Sequence, residues 1–425
     1  MSTPPSNSTT DVRMRGFHSR TPVDTALKWL DSAIDEHLTA RQQQSDATEL
    51  LPLEQCCGRV LAEDLVSGIP VPGFERAMMD GYAVHSADLA TISADHPVEL
   101  RVTGESLPGR PFPGSLPRGA ALRIMTGAPF PEGADAVLPV ELTQPLDTGR
   151  VLAIAKVPAG RHVGRIAEDI RPGERLLAAG RKLRPQDVAV ASSIGCPRLL
   201  VFRRPRVRIL LTGSELLPAG SVPQGFRITD SNGPLLQSLV QRDAGVLPPL
   251  EYIGDDPGRL RQALSEPADV LLVSGGSSVG QEDFAPQVLT QVGELAIHGL
   301  ALRPAAPTGL GRCGSTLVFL IPGNPVSCLC AADLFAGRAL RRMLGGSGGW
   351  PYSAQWLELG AAVSSAAGRR DYVRVSREGD RVFPLQASGA AMLGTVVRAD
   401  GFFWISEDQE QCSAGAQVEY FSYDS

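Results

Sequence analysis

A glycine-rich stretch is the part of the sequence best suited to binding a charged ligand. It covers residues 269–283, DVLLVSGGSSVGQED, where an apolar run gives way to small residues and then to two carboxylates. Gly275 and Gly276 have no Cβ, so the backbone can turn sharply and direct N–H groups at a ligand. A helix that begins near Asp283 would add its positive N-terminal end. The pattern fits an anion-binding turn, and it also fits a strand-to-helix turn that binds nothing.

Acidic residues near predicted strand ends point to a divalent cation. Carboxylates alone would repel a phosphate, whereas Mg²⁺ bound between them would hold it. The combination predicts a nucleotide or a phosphate ester bound together with Mg²⁺. Each acid taken singly also fits a helix cap or a solvated turn, and the choice between the neighbours Asp255 and Asp256 as metal ligand stays open. The five acids are Glu215, Asp230, Asp255, Asp256 and Asp283.

Other side chains could bind an oxyanion. Arg303 follows the apolar residues 297–302 and offers a guanidinium fork. Hydroxyl donors could come from Ser277, Ser278 and Ser388. The sequence has no Gly-x-x-x-x-Gly-Lys-[Ser/Thr] loop, and its histidines are scattered. P-loop NTPases and catalysis by imidazole are therefore disfavoured.

These residues need a common edge, and alternating strands and helices would provide one. Apolar runs predict four strands, at residues 207–211, 246–253, 270–273 and 317–321. Helical periodicity lies between them, which predicts a parallel sheet between two layers of helices, a three-layer α/β/α domain. Ligands of such sheets bind at the carboxyl ends of the strands. The glycine turn and the acids fall at these ends.

The rest of the chain predicts three further regions. Helical spacing begins at residue 21, short β-rich runs with Gly and Pro turns follow, and β patterns return after residue 350. We therefore predict an α/β multidomain protein, with a β-rich module inserted into an α+β linking domain and a C-terminal β-barrel. The predicted boundaries are a disordered tail at 1–16, a split linking domain at 17–66 and 158–200, the inserted module at 67–157, the α/β domain at 201–345 and the barrel at 346–425.

Composition narrows the classes of function. The chain has 425 residues, a net charge of -6 and a pI near 5.6, which argues against nucleic-acid binding. It has neither a long apolar run nor a signal-peptide pattern, so we expect a cytoplasmic protein with no membrane partner. The seven cysteines form no Cys-x-x-Cys pair, which disfavours a zinc cage. Cys328 and Cys330 are predicted to be buried small hydrophobic residues.

Seven motifs along the chain form one ordered set. They are PGFERAMMDGYAV at 72–84, RIMTGAPFPEGADAV at 123–137, EDI at 168–170, TGSEL at 212–216, DSN at 230–232, SGGSSVG at 274–280 and LIPGNPVS at 320–327. Together they resemble the molybdopterin molybdenumtransferase family, which includes the E-domain of gephyrin. The resemblance runs from about residue 21 to the C-terminus.

The resemblance implies a homodimer that inserts molybdate into adenylylated molybdopterin and releases AMP, assisted by Mg²⁺. A molybdopterin adenylyltransferase would supply the substrate, and apo-molybdoenzymes would receive the product. Asp80 and Thr126 would reach the site of the partner subunit. The implied catalytic residues are Asp80, Thr126, Glu215 and Asp283. The implied ligand-binding residues are Gly275, Gly276, Ser277, Ser278, Asp255, Arg303, Pro322, Pro325, Arg374 and Ser388, and the implied metal ligands are Glu215, Asp255 and Asp283.

The chain departs from the family pattern at a few positions. Arg303-Pro-Ala-Ala306 stands where the family commonly has Lys-Pro-Gly-Lys, and Ala167 stands at a common glycine. Arg303 thus keeps the first cation as a broader guanidinium fork, and Ala306 leaves the second cation absent. Two other functions share part of the pattern. A non-catalytic dimeric scaffold of the gephyrin E-domain type would not need the acids, and a molybdopterin adenylyltransferase would need only the central domain.

Overall fold

The computed structural model describes residues 19–93, 95–147, 149–277, 283–385 and 389–424. The chain forms two compact units. The first comprises Met1–Leu50, Gly58–Ala62 and Leu200–Ser425, and the second comprises Leu51–Cys57 and Glu63–Leu199. The strands Thr48–Pro52 and Arg198–Phe202 contain points where the chain passes from one unit to the other. Of the predicted site residues, Ser278 and Ser388 lie outside the described residues. The predicted domain boundaries remain a prediction.

A six-stranded sheet forms the centre of the first unit. Its strands lie in the order Leu250–Tyr252, Val207–Leu211, Val270–Ser274, Thr316–Ile321, Gly309–Cys313 and Glu294–His298. The first four run parallel, which confirms the predicted parallel core. The last two are antiparallel and were not predicted, so the sheet is mixed. The strand predicted over residues 246–253 is shorter, since only Leu250–Tyr252 pairs.

Helices cover both faces of this sheet because the strands are apolar on both sides. Side chains such as Ile209, Leu272 and Phe319 pack on one face against the first set of helices. Leu271 and Leu320 pack on the opposite face against the second set. The predicted three-layer α/β/α architecture is confirmed. The first set is Val23–Gln43, Asn232–Ala244, Pro325–Ala331 with its π-helical continuation Ala332–Ala336, and Gly337–Met343; the second is Pro257–Ser265 and Ala285–Val292.

The C-terminal part of the first unit is a closed five-stranded barrel, as predicted. Its strands are Arg370–Glu378, Arg381–Pro384, Ala354–Leu359, Gln417–Ser422 and Gly401–Ile405, and the last pairs with the first. Leu302–Arg303 pairs in parallel with Arg370 and Asp371 at the start of the first barrel strand. This pairing brings Arg303 beside the barrel. Two short strand pairs and a short helix also belong to the unit: Leu216–Leu217 with Ile228–Thr229, Val363–Ser364 with Gln411–Cys412, and the helix Gly394–Val397.

The second unit is mainly β. Its six-stranded sheet has the order Ala136–Pro139, Gly81–Val84, Ala120–Ile124, Val98–Ser106, Arg150–Ala153 and Thr143–Asp147. Two short antiparallel pairs, Arg76–Ala77 with Val163–Gly164 and Leu65–Val66 with Arg175–Leu177, and the helix Pro185–Ser193 accompany it. Across the described residues of both units, no helix has the length and apolar character needed to cross a bilayer.

Candidate active site

The parallel strands of the central sheet end at one edge, and a cleft of about 580 Å³ lies there. We call it the first cleft. The turns after residues 211, 274 and 321 contribute to its wall, as the strand-edge rule requires. The structure therefore brings together nine residues that the sequence singled out. They are Gly275, Gly276, Ser277, Glu215, Asp230, Asp255, Asp283, Pro322 and Pro325.

The glycine turn depends on missing side chains. Gly275 and Gly276 have φ of 91° and 61°, the left-handed region that favours glycine. A Cβ on Gly275 would lie 2.7 Å from both the carbonyl oxygen and Oγ1 of Thr212. That distance is too short for any side chain. The close approach of this turn to the neighbouring strand end therefore specifies glycine.

The structure separates the neighbours Asp255 and Asp256. Asp255 lines the first cleft, and its Oδ2 accepts a hydrogen bond from the Ser214 backbone N–H at 2.7 Å. Asp256 instead caps the helix Pro257–Ser265, because its Oδ1 accepts from the N–H groups of Gly258 and Arg259 at 2.8 and 3.2 Å. Of the two, Asp255 is the candidate metal ligand.

Asp230 also lines the first cleft but has structural partners. Its Oδ1 accepts from the Gly233 N–H and its Oδ2 accepts from the Tyr252 hydroxyl, both at 2.9 Å. The side chain is 5% exposed. Asp230 thus anchors the start of the Asn232–Ala244 helix to the edge strand Leu250–Tyr252.

Sequence reasoning missed the role of Asn232, although its DSN motif was recognised. Asn232 lines the first cleft and is 8% exposed. Its Nδ2 donates to Ser274 Oγ at 3.0 Å and to the Gly323 carbonyl at 2.8 Å. Within the described part of the chain, its Oδ1 has no hydrogen-bond partner, and neither has the buried Ser277 Oγ. Two buried polar atoms of one cleft are thus left for other partners.

A second cleft of about 440 Å³ shares Pro307, Pro322 and Asn324 with the first. Its character is opposite, because four arginines line it. Two of these, Arg303 and Arg374, were predicted from the sequence. The other two were missed because nothing in the linear pattern places them near the central sheet. The four are Arg20, Arg303, Arg369 and Arg374.

A buried carboxylate orients two of these arginines. Asp371 is 1% exposed and pairs with Arg303 Nη2 at 2.5 Å and with Arg369 Nε at 3.2 Å. Ser365 Oγ donates to the same carboxylate at 2.9 Å. Arg374 is itself 7% exposed and donates to Thr395 Oγ1. Burial lowers the pKa of Arg374, but a guanidinium remains charged at neutral pH.

Two departures from the family pattern lie at positions of positive φ. Ala305 and Ala167 stand where glycine is common, and their φ values are 91° and 58°. Both therefore hold the conformation that glycine adopts most easily. Ala305 is buried and its carbonyl accepts from the Thr308 hydroxyl at 2.8 Å. The loop after Arg303 thus carries backbone strain at Ala305.

In the second unit, Asp80 and Thr126 lie together. The backbone N–H and the Oγ1 of Thr126 both donate to Asp80 Oδ1 at 2.7 Å. These bonds hold the pKa of Asp80 below its usual value, so the carboxylate is ionised at neutral pH. Asp80 is exposed, as is Asp169 in the same unit. The pairing gives the exposed carboxylate a defined direction.

Mg²⁺ fits the first cleft only if phosphates of a bound substrate supply some of its ligands. Glu215, Asp255 and Asp283 supply oxygen ligands of the hard type that Mg²⁺ prefers. Among the described residues, however, no three acidic, histidine or cysteine side chains stand close enough to hold a metal by themselves. Mg²⁺ commonly binds one or two carboxylates together with substrate phosphates. The cleft fits this shared mode of binding.

Three family models match successive parts of the chain. "MoeA N-terminal region (domain I and II)" matches residues 21–195, "Probable molybdopterin binding domain" matches 208–342 and "MoeA C-terminal region (domain IV)" matches 357–423. The fold and the two clefts thus define an α/β multidomain transferase built around a molybdopterin-binding-type domain.

Similar proteins identify the family. The chain is 30% identical to the molybdopterin molybdenumtransferase of Haemophilus influenzae, over 87% of this chain and 93% of that protein. It is 31% identical to molybdopterin molybdenumtransferase 2 of Mycobacterium tuberculosis, over 91% and 98%. The crystal structure of a molybdopterin biosynthesis protein from Pyrococcus horikosii superposes with a TM-score of 0.79 at 31% identity, covering 96% of this chain and 100% of that one. The chain belongs to the molybdopterin molybdenumtransferase family, whose enzymes act in molybdenum cofactor biosynthesis.

Proposed function

We propose that this protein inserts molybdate into adenylylated molybdopterin and releases AMP, in a Mg²⁺-dependent reaction in the cytoplasm. The observation that carries the proposal is the pair of adjoining clefts in the first unit. One combines carboxylates with a side-chain-free turn, and the other is lined by arginines. The reaction has two substrates, one that carries a pyrophosphate and one that is an oxyanion. They would need the acidic cleft and the arginine-lined cleft next to each other.

The first cleft is proposed to bind adenylylated molybdopterin. Gly275 and Gly276 line this cleft without side chains of their own. One or two of Glu215, Asp255 and Asp283 would hold Mg²⁺ jointly with the pyrophosphate. Bound there, Mg²⁺ would neutralise phosphate charge and stabilise the AMP leaving group. Without it, the carboxylates of the cleft would repel the phosphates of the substrate.

The second cleft is proposed to bind molybdate. Arg303 and Arg374 supply guanidinium forks, which suit oxyanions. Arg369 adds a third positive charge, and the buried Asp371 holds Arg303 and Arg369 in place. Orienting these groups in advance reduces the entropy lost when molybdate binds. The shared residues Pro322 and Asn324 would set the path from the oxyanion to the pterin.

Asp80 and Thr126 are proposed to act in the first cleft of a partner subunit, in a homodimer. Their mutual hydrogen bonds orient an ionised carboxylate on an exposed surface. Such an ionised carboxylate can add a ligand to a shared metal. A molybdopterin adenylyltransferase is proposed to supply the substrate, and apo-molybdoenzymes are proposed to take the product.

The test is AMP release from adenylylated molybdopterin by the purified full-length protein, with molybdate and Mg²⁺ present. We expect AMP to appear only when both are added, and Asp283→Ala to abolish its release. Tungstate in place of molybdate measures the choice of oxyanion. A folded dimer that releases no AMP, or cells in which Asp283→Ala supports normal cofactor formation, would contradict the proposal and favour a scaffold.

A further inference from the structure

The orientation of the Asn232 amide is determined by its surroundings. Its two Nδ2 hydrogens are used by the Gly323 carbonyl at 2.8 Å and by Ser274 Oγ at 3.0 Å. A carbonyl oxygen accepts but cannot donate, so turning the amide over would set two oxygen atoms against each other. Oδ1 therefore occupies the position left by these two bonds.

This Oδ1 lacks a partner although its side chain is buried. Asn232 is 8% exposed and lines the first cleft, and none of the described residues donates to its Oδ1. A buried acceptor left unpaired is costly, so a ligand that supplies a donor gains affinity. Phosphate oxygens, molybdate oxygens and thiolates carry no donor. The matching ligand group is therefore an N–H or O–H.

We infer that Asn232 determines specificity in the first cleft by accepting a hydrogen bond from an N–H group on a heteroaromatic ring of the substrate. The inference rests on the proposed function, because adenylylated molybdopterin carries two such rings, the pterin and the adenine. Both present exocyclic amines. A site that pairs with a ligand N–H discriminates strongly against an analogue without it, because the buried acceptor is then left unpaired.

The experiment measures binding of two matched ligand pairs to the full-length protein with Mg²⁺ present. One pair is AMP and purine riboside 5′-monophosphate, which lacks the amine. The other is pterin and its 2-N,N-dimethyl derivative. We expect one amine-bearing ligand to bind the wild-type protein about tenfold more tightly than its partner. In Asn232→Ala that ratio should fall to near one. The pair that shows the effect identifies the ring.

A merely structural role for Asn232 would weaken both members of a pair equally and leave the ratios unchanged, and this result would overturn the inference. Should Asn232→Ala fail to fold, Asn232→Ser allows the same comparison, since it keeps a polar side chain but has no Oδ1. The measurement needs neither molybdate nor turnover, so failure of AMP release is a separate result. If neither AMP nor pterin binds the wild-type protein, the result contradicts both the inference and the proposed substrate class.

Discussion

Two adjacent aspartates should respond to the same substitution in opposite ways. Asp256→Ala removes the acceptor of the Gly258 and Arg259 N–H groups at the start of the Pro257–Ser265 helix. Loss of such a cap costs about 1 kcal/mol, which corresponds to a fall of about 2–4 °C in Tm for a unit of this size. AMP release should stay at the wild-type rate, because this carboxylate faces the helix.

Asp255→Ala should have the converse effect. The bond it removes goes to the exposed N–H of Ser214, which water can satisfy, so the unfolding free energy should change by less than about 0.5 kcal/mol. The loss of a negative charge from the proposed Mg²⁺ site should lower AMP release about 100-fold at limiting Mg²⁺. Excess Mg²⁺ should partly restore the rate.

Thermal unfolding and a Mg²⁺ titration of AMP release on both variants decide the matter. Asp256→Ser should recover the lost stability, since serine is a good helix cap. Asp255→Asn keeps an acceptor for Ser214 but loses the charge, so it should behave like Asp255→Ala. The reasoning is refuted if Asp256→Ala reduces Mg²⁺-dependent turnover as much as Asp255→Ala does.

Three further predictions concern the backbone and pH. Ala305→Gly should raise the unfolding free energy in a denaturation assay by about 1 kcal/mol, because glycine relieves the strain of a positive φ. Ala306 has no positive φ, so Ala306→Gly should lower the unfolding free energy in the same assay. Gly275→Ala should lower it by about 2 kcal/mol or more and abolish pterin binding in equilibrium titrations, because its Cβ would meet Thr212. Burial lowers the pKa of His37 below 6.5, so the unfolded state takes up the proton first and stability should fall as pH drops from about 7 to 5. Denaturation of His37→Gln at both pH values should show a smaller fall, and an equal fall would contradict this assignment.

Much of the central domain follows from local sequence. Continuous apolar runs predict strands buried on both faces, and Asp256 followed by Pro257 predicts a helix start, which the structure confirms. Cys328 and Cys330 are buried, as their apolar surroundings predict. The antiparallel strands Gly309–Cys313 and Glu294–His298 escape such reasoning, because the first depends on pairing with Thr316–Ile321 and the second on pairing with the first.

The sequence by itself determined the family, the order of motifs and the chemical types gathered at the strand ends. Glycines, acids and a guanidinium at those ends imply an anion and a cation, whatever the details of packing. Only the tertiary structure decided that Asp255 faces the cleft, and that Arg20 and Arg369 join Arg303 beside the barrel. The reason is physical: residue type limits what a side chain can bind, but contacts between distant segments decide which of its partners lies within reach.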